Sequence, residues 1–140
     1  YDVRVNTAFE QVMHACAAPR DTQPSTWISS GLIEAYTELH HYGFAHSVEA
    51  WNEENELVGG LYGVSLGGFF AGESMFHRAT DASKICWVFV VERMKERGFT
   101  LLDIQFVTDH LARFGAAEIP RQEYEGRLQE ALERRCSFAD

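Results

Sequence analysis

Three consecutive segments decide the fold: Ala45-His46-Ser47-Val48-Glu49-Ala50-Trp51, then Glu56-Leu57-Val58-Gly59-Gly60-Leu61-Tyr62-Gly63-Val64-Ser65, then Phe69-Phe70-Ala71-Gly72-Glu73. Each reads as a strand. Asn52 to Asn55 and Gly67-Gly68 are the turns between them. Strands joined by turns this short are neighbours and run antiparallel, so the centre of the chain is predicted to be a meander. Beyond it, Thr80 or Asp81 can cap a helix from Ala82 to Arg97. Ile85, Trp87, Val88, Phe89, Val90, Val91 and Met94 make that helix apolar nearly all round, as expected of a helix buried against a sheet. Gly98 ends it, Leu101 to Val107 reads as a further strand, and Pro120 precedes a charged helix with Tyr124, Leu128 and Leu132 on one side. On the N-terminal side, Asp2-Val3-Arg4-Val5 alternates as a short strand. Thr7 and Glu10 are spaced as a capping box, and Phe9, Val12, Met13 and Cys16 recur at helical spacing over Ala8 to Ala17. Pro19 to Ser25 is a polar loop. A second helix is expected from Ser30 to His41, with Leu32, Ile33, Tyr36 and Leu39 as its apolar face and Gly43 as its stop. The order, α-α-β-β-β-α-β-α behind an opening strand, predicts an α+β class: helices packed on a mostly antiparallel sheet.

The 140 residues suffice for one core, so a single domain over 1–140 is expected. Hydrophobic residues at 46% and charged residues at 24% exclude a disordered chain. Twelve Lys and Arg against 21 Asp and Glu give a net charge of -9. That balance excludes a surface that holds nucleic acid by bulk phosphate neutralisation. It leaves open small ligands, cationic peptides and a locally basic patch. Cys16, Cys86 and Cys136 are odd in number and far apart, which fits neither a disulfide framework nor a zinc site, and a reducing cytoplasm is the natural setting. No stretch approaches the ~20 apolar residues of a membrane span, and no signal peptide is visible. The start at Tyr1-Asp2-Val3, without Met, fits a piece excised or processed from a longer chain.

Leu101-Leu102-Asp103-Ile104-Gln105-Phe106 is the sharpest local feature. Residues two apart on a strand share a face, so Asp103 and Gln105 point the same way between apolar neighbours. A carboxylate there needs a partner, which suggests a site; a strand end emerging into solvent, or an Asp capping the next turn, is the competing reading. Glu73 ends an apolar run in Gly72-Glu73-Ser74-Met75-Phe76, which by itself says little. Gly59-Gly60 and Gly67-Gly68 lie in and between strands rather than at a strand-to-helix junction, so they read as bulges or turns and not as a phosphate cradle. His14, His40, His41, His46, His77 and His110 form no metal-binding spacing, and Asp109-His110 lacks a nucleophile with a matching elbow. Trp27, before the second helix, is a core plug or a base-stacking surface, the former being favoured by position alone.

Taken together, these stretches resemble the bacterial leucyl/phenylalanyl-tRNA–protein transferases. The resemblance rests on Asn6-Thr7-Ala8-Phe9, Thr26-Trp27-Ile28, Glu34-Ala35-Tyr36 with Leu39-His40, and Ala45-His46-Ser47-Val48-Glu49. It continues through Leu57-Val58-Gly59-Gly60-Leu61-Tyr62-Gly63-Val64, Gly72-Glu73-Ser74-Met75-Phe76, Ala82-Ser83-Lys84 and Asp103-Ile104-Gln105. Asp109-His110, Phe114-Gly115-Ala116 and Glu118-Ile119-Pro120-Arg121 complete it, in the family's order and over nearly the whole chain. The resemblance implies a fold like that of the GCN5-related N-acetyltransferases. It implies transfer of Leu or Phe from aminoacyl-tRNA onto proteins with N-terminal Arg or Lys, marking them for degradation by an N-end rule pathway. It implies no metal and no bound cofactor, since the aminoacyl ester is already activated. Cytoplasmic location, no membrane partner and a monomeric state are the matching expectations.

Residue by residue, the resemblance implies that Asp103 and Gln105 are the acidic and amide pair of the reaction centre. Glu73 would lie near the aminoacyl amine and the tRNA 3′ end, and Trp27 and Tyr36 would hold the terminal adenosine. Phe70, Leu61, Trp87, Met94 and Leu102 would line the pocket for the donor's apolar side chain, with Trp87 bulkier than the usual aliphatic residue. Members of the family also carry an N-terminal domain ahead of the position of Tyr1 that helps to bind the 3′ end. The chemistry is undemanding: an α-amine has a pKa of about 7.7–8.0, so part of it is neutral near pH 7. Two competing functions remain. A small-molecule acyltransferase would need a Q/R-x-x-G-x-G/A loop before a helix, which the chain lacks. A non-catalytic module would bind basic N-terminal peptides without transfer.

Overall fold

The computed structural model describes residues 1–17, 29–104 and 117–139. Among these, β1 (Asp2–Val5), β2 (Ala45–Trp51), β3 (Leu57–Leu66), β4 (Phe69–His77) and β5 (Leu101–Asp103) form one sheet in chain order. The helices are α1 (Phe9–Ala17), α2 (Ser30–His41), α3 (Ala82–Arg97) and α4 (Arg121–Leu132). The expected meander is present: β1 to β4 pair antiparallel with their neighbours. β5 differs, joining β4 in parallel after the α3 crossover. A parallel pair requires such a crossover, whereas the antiparallel pairs need only turns.

Helices cover both faces of the sheet. On one face α3 buries Cys86, Trp87, Val90 and Met94 against Val48, Leu61 and Phe70. Gly59 is required there, because a Cβ on it would lie 2.4 Å from Ala82 Cβ at the start of α3. A bulge does lie beside it, at Val58, where Ala50 pairs with Gly59 and Trp51 with Leu57, and the close approach of α3 adds a second reason for the glycine. On the other face α1 packs Phe9, Val12, Met13 and Cys16 against Tyr62 and Phe76, with α2 over them. α4 covers the β4–β5 end of that face through Tyr124, Leu128 and Ala131 on Phe69 and Leu101.

Several local expectations change. Val88 is exposed, so α3 buries a stripe rather than its whole circumference. Asp81 occupies the N-cap of α3, yet its carboxylate makes no capping bond; it pairs with Lys84 at 3.2 Å. The Thr7 hydroxyl donates to Glu49, tying the entry of α1 to the sheet. Leu39 is exposed because His40 takes the inward place, its ring stacked 4.3 Å from Phe9 and its Nδ1 2.9 Å from the Ala45 carbonyl. On α4 the buried stripe runs through Ala131 and leaves Leu132 exposed, since a 3.6-residue turn carries the inward position from 128 to 131. β4 runs on past Glu73 to His77, pairing with β3 beyond an irregularity at that residue.

The middle of β2 holds the polar part of the core. Glu49 is fully buried and accepts from the Thr7 amide at 3.3 Å and from the Thr7 and Ser47 hydroxyls. A buried carboxylate is tolerable when its lone pairs are satisfied in this way. His46 lies between Asn6 Nδ2, 3.0 Å from its Nδ1, and Ser65 Oγ, 3.0 Å from its Nε2. Asn6 Oδ1 accepts from the Ser47 amide at 3.0 Å, so the Asn6 amide nitrogen faces the ring and donates to Nδ1. The imidazole is therefore the neutral form protonated on Nε2.

Candidate functional site

Parallel pairing between β4 and β5 covers Phe69 with Leu101, Phe70 with Leu102 and Ala71 with Asp103. Beyond Ala71, the β5 side of β4 has no paired strand among the described residues. The candidate residues gather near this end of the β4–β5 pair. Asp103 is the last residue of β5 and shares the face of Leu101, under α4. Tyr124 Oη donates to Asp103 Oδ2 at 2.8 Å. Burial, and then the neighbouring Asp103, pushes the Tyr124 phenol up to about 12, so it remains a donor at neutral pH. The Asp103 carboxylate is thus positioned from the C-terminal helix.

Glu73 sits at a β-bulge. Tyr62 pairs with Ser74 and Gly63 with Gly72, which leaves Glu73 as the extra residue on β4. Counted from Phe69 and Ala71, a period of two puts Glu73 on the α1/α2 side, and the bulge keeps Ser74 and Phe76 on that face as well. Glu73 therefore reaches the α1/α2 side, where it is hydrogen-bonded to Tyr36 of α2. Burial and the adjoining carboxylate both raise the Tyr36 pKa. The fold thus brings Tyr36, Glu73 and Asp103 to one face of the sheet, from three elements far apart in sequence. Trp27 and Gln105, like Asp109 and His110, lie outside the described residues.

The predicted pocket residues are on the opposite face, in one apolar cluster. Phe70 and Leu61 are fully buried, Trp87 and Met94 nearly so, and Leu102 packs half-buried against them. The Trp87 indole reaches β4. Its Nε1 donates to Met75 Sδ at 3.0 Å, and a Cβ on Gly72 would come within 2.3 Å of its Cη2. Gly72 is what lets the bulky Trp87 approach the strand.

Two residues of this region were not singled out from the sequence. Tyr124 was visible only as part of an apolar helix stripe, and nothing in its neighbourhood points to Asp103. Phe138 is almost fully buried and stacks on Phe70 with ring centroids 4.7 Å apart. Arg93 Nη1 donates to the Phe138 carbonyl at 2.8 Å, fastening the C-terminal segment across α3. An isolated aromatic near a chain end gives no sequence signal for such a contact.

A five-stranded sheet, antiparallel except for the β4–β5 pair, with a bulged β4 and helices on both faces, defines the class: a fold of the GCN5-related N-acetyltransferase type. The chain is similar to an acetyltransferase of the GNAT family from Staphylococcus aureus Mu50, with a TM-score of 0.57 and 15% identity over 87% of this chain and 88% of the other. It is also similar to a probable acetyltransferase of known structure, with a TM-score of 0.69 and 9% identity over 86% of this chain and 92% of the other. Identities this low speak for the fold alone. The family follows from the sequence: the model for leucyl/phenylalanyl-tRNA protein transferase matches residues 1–129, and the chain belongs to that family. It is 53% identical over 138 residues to the leucyl/phenylalanyl-tRNA–protein transferase of Hyphomonas neptunium and 54% identical to that of Phenylobacterium zucineum. Each match covers 99% of this chain, which spans 53% and 62% of those relatives' own lengths. No helix among the described residues is long and apolar enough to cross a membrane.

Proposed function

We propose that this chain carries the transferase domain of an aminoacyltransferase that moves Leu or Phe from aminoacyl-tRNA to the α-amine of a protein whose N-terminal residue is Arg or Lys. The products enter N-end rule degradation in the cytoplasm. The observation that supports this most directly is the fixed Asp103 carboxylate on the sheet face that also holds the Tyr36–Glu73 pair. The acceptor nitrogen attacks the ester carbonyl, an amide bond forms, and the ester C–O bond breaks. The tRNA 3′-terminal oxygen leaves and takes up the proton that the amine loses. Asp103 accepts that proton or orients the amine, and Gln105 holds the carboxylate or the ester carbonyl. Orientation of amine against ester supplies roughly 7–11 kcal/mol of the barrier, so little base strength is needed.

In this reading Glu73 lies near the donor's amine, Trp27 and Tyr36 hold the terminal adenosine, and Phe70, Leu61, Trp87, Met94 and Leu102 receive the donor side chain. The net charge of -9 suits an acceptor with a cationic N-terminal residue. It also fits recognition of one aminoacyl-adenosine end rather than broad phosphate tracking. The test is incubation with Leu-tRNA or Phe-tRNA and a peptide with N-terminal Arg. Mass spectrometry should show one added Leu or Phe residue. No product, beside a full-length relative that works under the same conditions, overturns the reading. Binding of acetyl-CoA in a calorimetric titration would instead move the assignment to small-molecule acyl transfer.

A further inference from the structure

We infer that Tyr62 is a further binding residue of this site, its hydroxyl accepting a hydrogen bond from the α-amine of the bound aminoacyl donor beside Glu73. The inference rests on the proposed aminoacyl transfer and adds a residue that the resemblance does not assign. Tyr62 is 0% exposed, yet its hydroxyl has no hydrogen-bond partner among the described residues. A buried hydroxyl without a partner is costly, and its persistence calls for an explanation such as an absent ligand group.

The position of Tyr62 supplies that group. It pairs with Ser74, next to the bulged Glu73, so both side chains lie on the same face. Its ring meets Tyr36 edge-on at 5.5 Å and Phe9 at 6.2 Å. Burial raises its pKa, and Cys16, Tyr36 and Glu73 face it and raise it further. The phenol therefore stays neutral. The Tyr36 proton is engaged by Glu73. What remains here is a carboxylate, which accepts only, and the Tyr62 hydroxyl, which can accept as well as donate. A primary amine, with several N–H donors on one atom, can meet the carboxylate and the hydroxyl oxygen together. The donor's α-amine is the primary amine that the aminoacyl ester carries next to its reacting carbonyl.

Two non-hydrolysable probes test this: the 3′-phenylalanyl amide of 3′-amino-3′-deoxyadenosine, and its 3-phenylpropionyl counterpart without the amine. Calorimetry compares the unaltered chain with Tyr62→Phe, and thermal melting is measured for both. Removal of the hydroxyl should weaken the amine-bearing probe roughly threefold to tenfold, the value of one hydrogen bond, and leave the desamino probe unchanged. The melting temperature should stay the same or rise, because no partner is lost. Equal affinities, an equal loss on both probes, or a markedly lowered melting temperature would each overturn the inference. Failure of the unaltered chain to bind either probe would overturn it too. The peptide-transfer assay then shows whether the functional reading falls with it: continued transfer of Leu or Phe retains that reading without the role of Tyr62.

Discussion

Acidification should unfold this protein through His46, and the magnitude follows from its surroundings. The ring is 5% exposed and its pKa falls from 6.5 to about 4, chiefly through burial and then through the nearby His40, with the Gly43 backbone opposing. Asn6 donates to Nδ1, so an added proton there would set two N–H groups against each other. Between pH 6.5 and 4 the unfolded chain binds this proton and the folded chain does not. Stability from this group is therefore complete above about 6.5, declines as the pH falls, and is fully lost below about 4. A shift of about 2.5 units at 1.36 kcal/mol each amounts to about 3 kcal/mol, a large share of a small domain's stability. The assay is urea unfolding from pH 7.5 to 4 for the unaltered chain and for His46→Gln, which cannot titrate. Other carboxylates and histidines titrate in both, so the difference between the two curves isolates His46. That difference should slope by up to about 1.4 kcal/mol per pH unit in this window. A flat difference, or an imidazole titrating near 6.5 by NMR in the folded protein, would refute the reasoning.

Three further outcomes are expected. Tyr124→Phe should lower the transfer rate about tenfold while leaving thermal stability nearly unchanged, since it removes the bond to Asp103 but little packing; transfer at the unaltered rate would show that Asp103 needs no such support. Gly72→Ala should destabilise the fold by about 1–3 kcal/mol in urea, because the new Cβ would press on Trp87, and Trp87→Leu in the same chain should recover most of it. At pH 8 a thiol reagent should modify Cys136 first, because Cys16 and Cys86 are buried and burial pushes the Cys86 thiol up to about 12; all three should react once urea unfolds the chain. Rapid labelling of Cys86 in the folded protein would contradict the packing of α3 against β2 and β3.

Periodicity alone carried much of the fold. α2, α3, β1 and β2 fall on the expected residues, α1 and β3 differ by one position at one or both ends, β4 runs four residues further, and residues 105–107 of the strand expected from Leu101 lie outside the described residues. Their apolar residues recur at the spacings that bury one face, and the turns between β2, β3 and β4 are too short to allow anything but a meander. The parallel pairing of β5 with β4 was not legible in this way, because its register depends on where the α3 crossover returns the chain. The site was legible in its residue types but not in its geometry. Asp103 stood out because a carboxylate among Leu101, Leu102 and Ile104 needs a partner, yet the sequence could not say that the partner is Tyr124. Glu73 read as a strand end, because a polar pair after an apolar run looks like an exit into solvent.

The sequence by itself determined the order of elements, the family, and the identity of the candidate residues, since these depend on local pattern and on matching motifs. The tertiary structure decided which of those residues meet. The sheet and α2 bring Glu73 of β4 against Tyr36, far from it in sequence. Likewise, α4 returns Tyr124 to Asp103, and the chain end brings Phe138 onto Phe70. The missing glycine side chains at positions 59 and 72 make room for Ala82 and Trp87. Each of these depends on contacts between segments distant in the chain. Local pattern cannot encode them, because a residue's neighbours across a sheet or under a helix are set by register and packing, not by its place in the sequence.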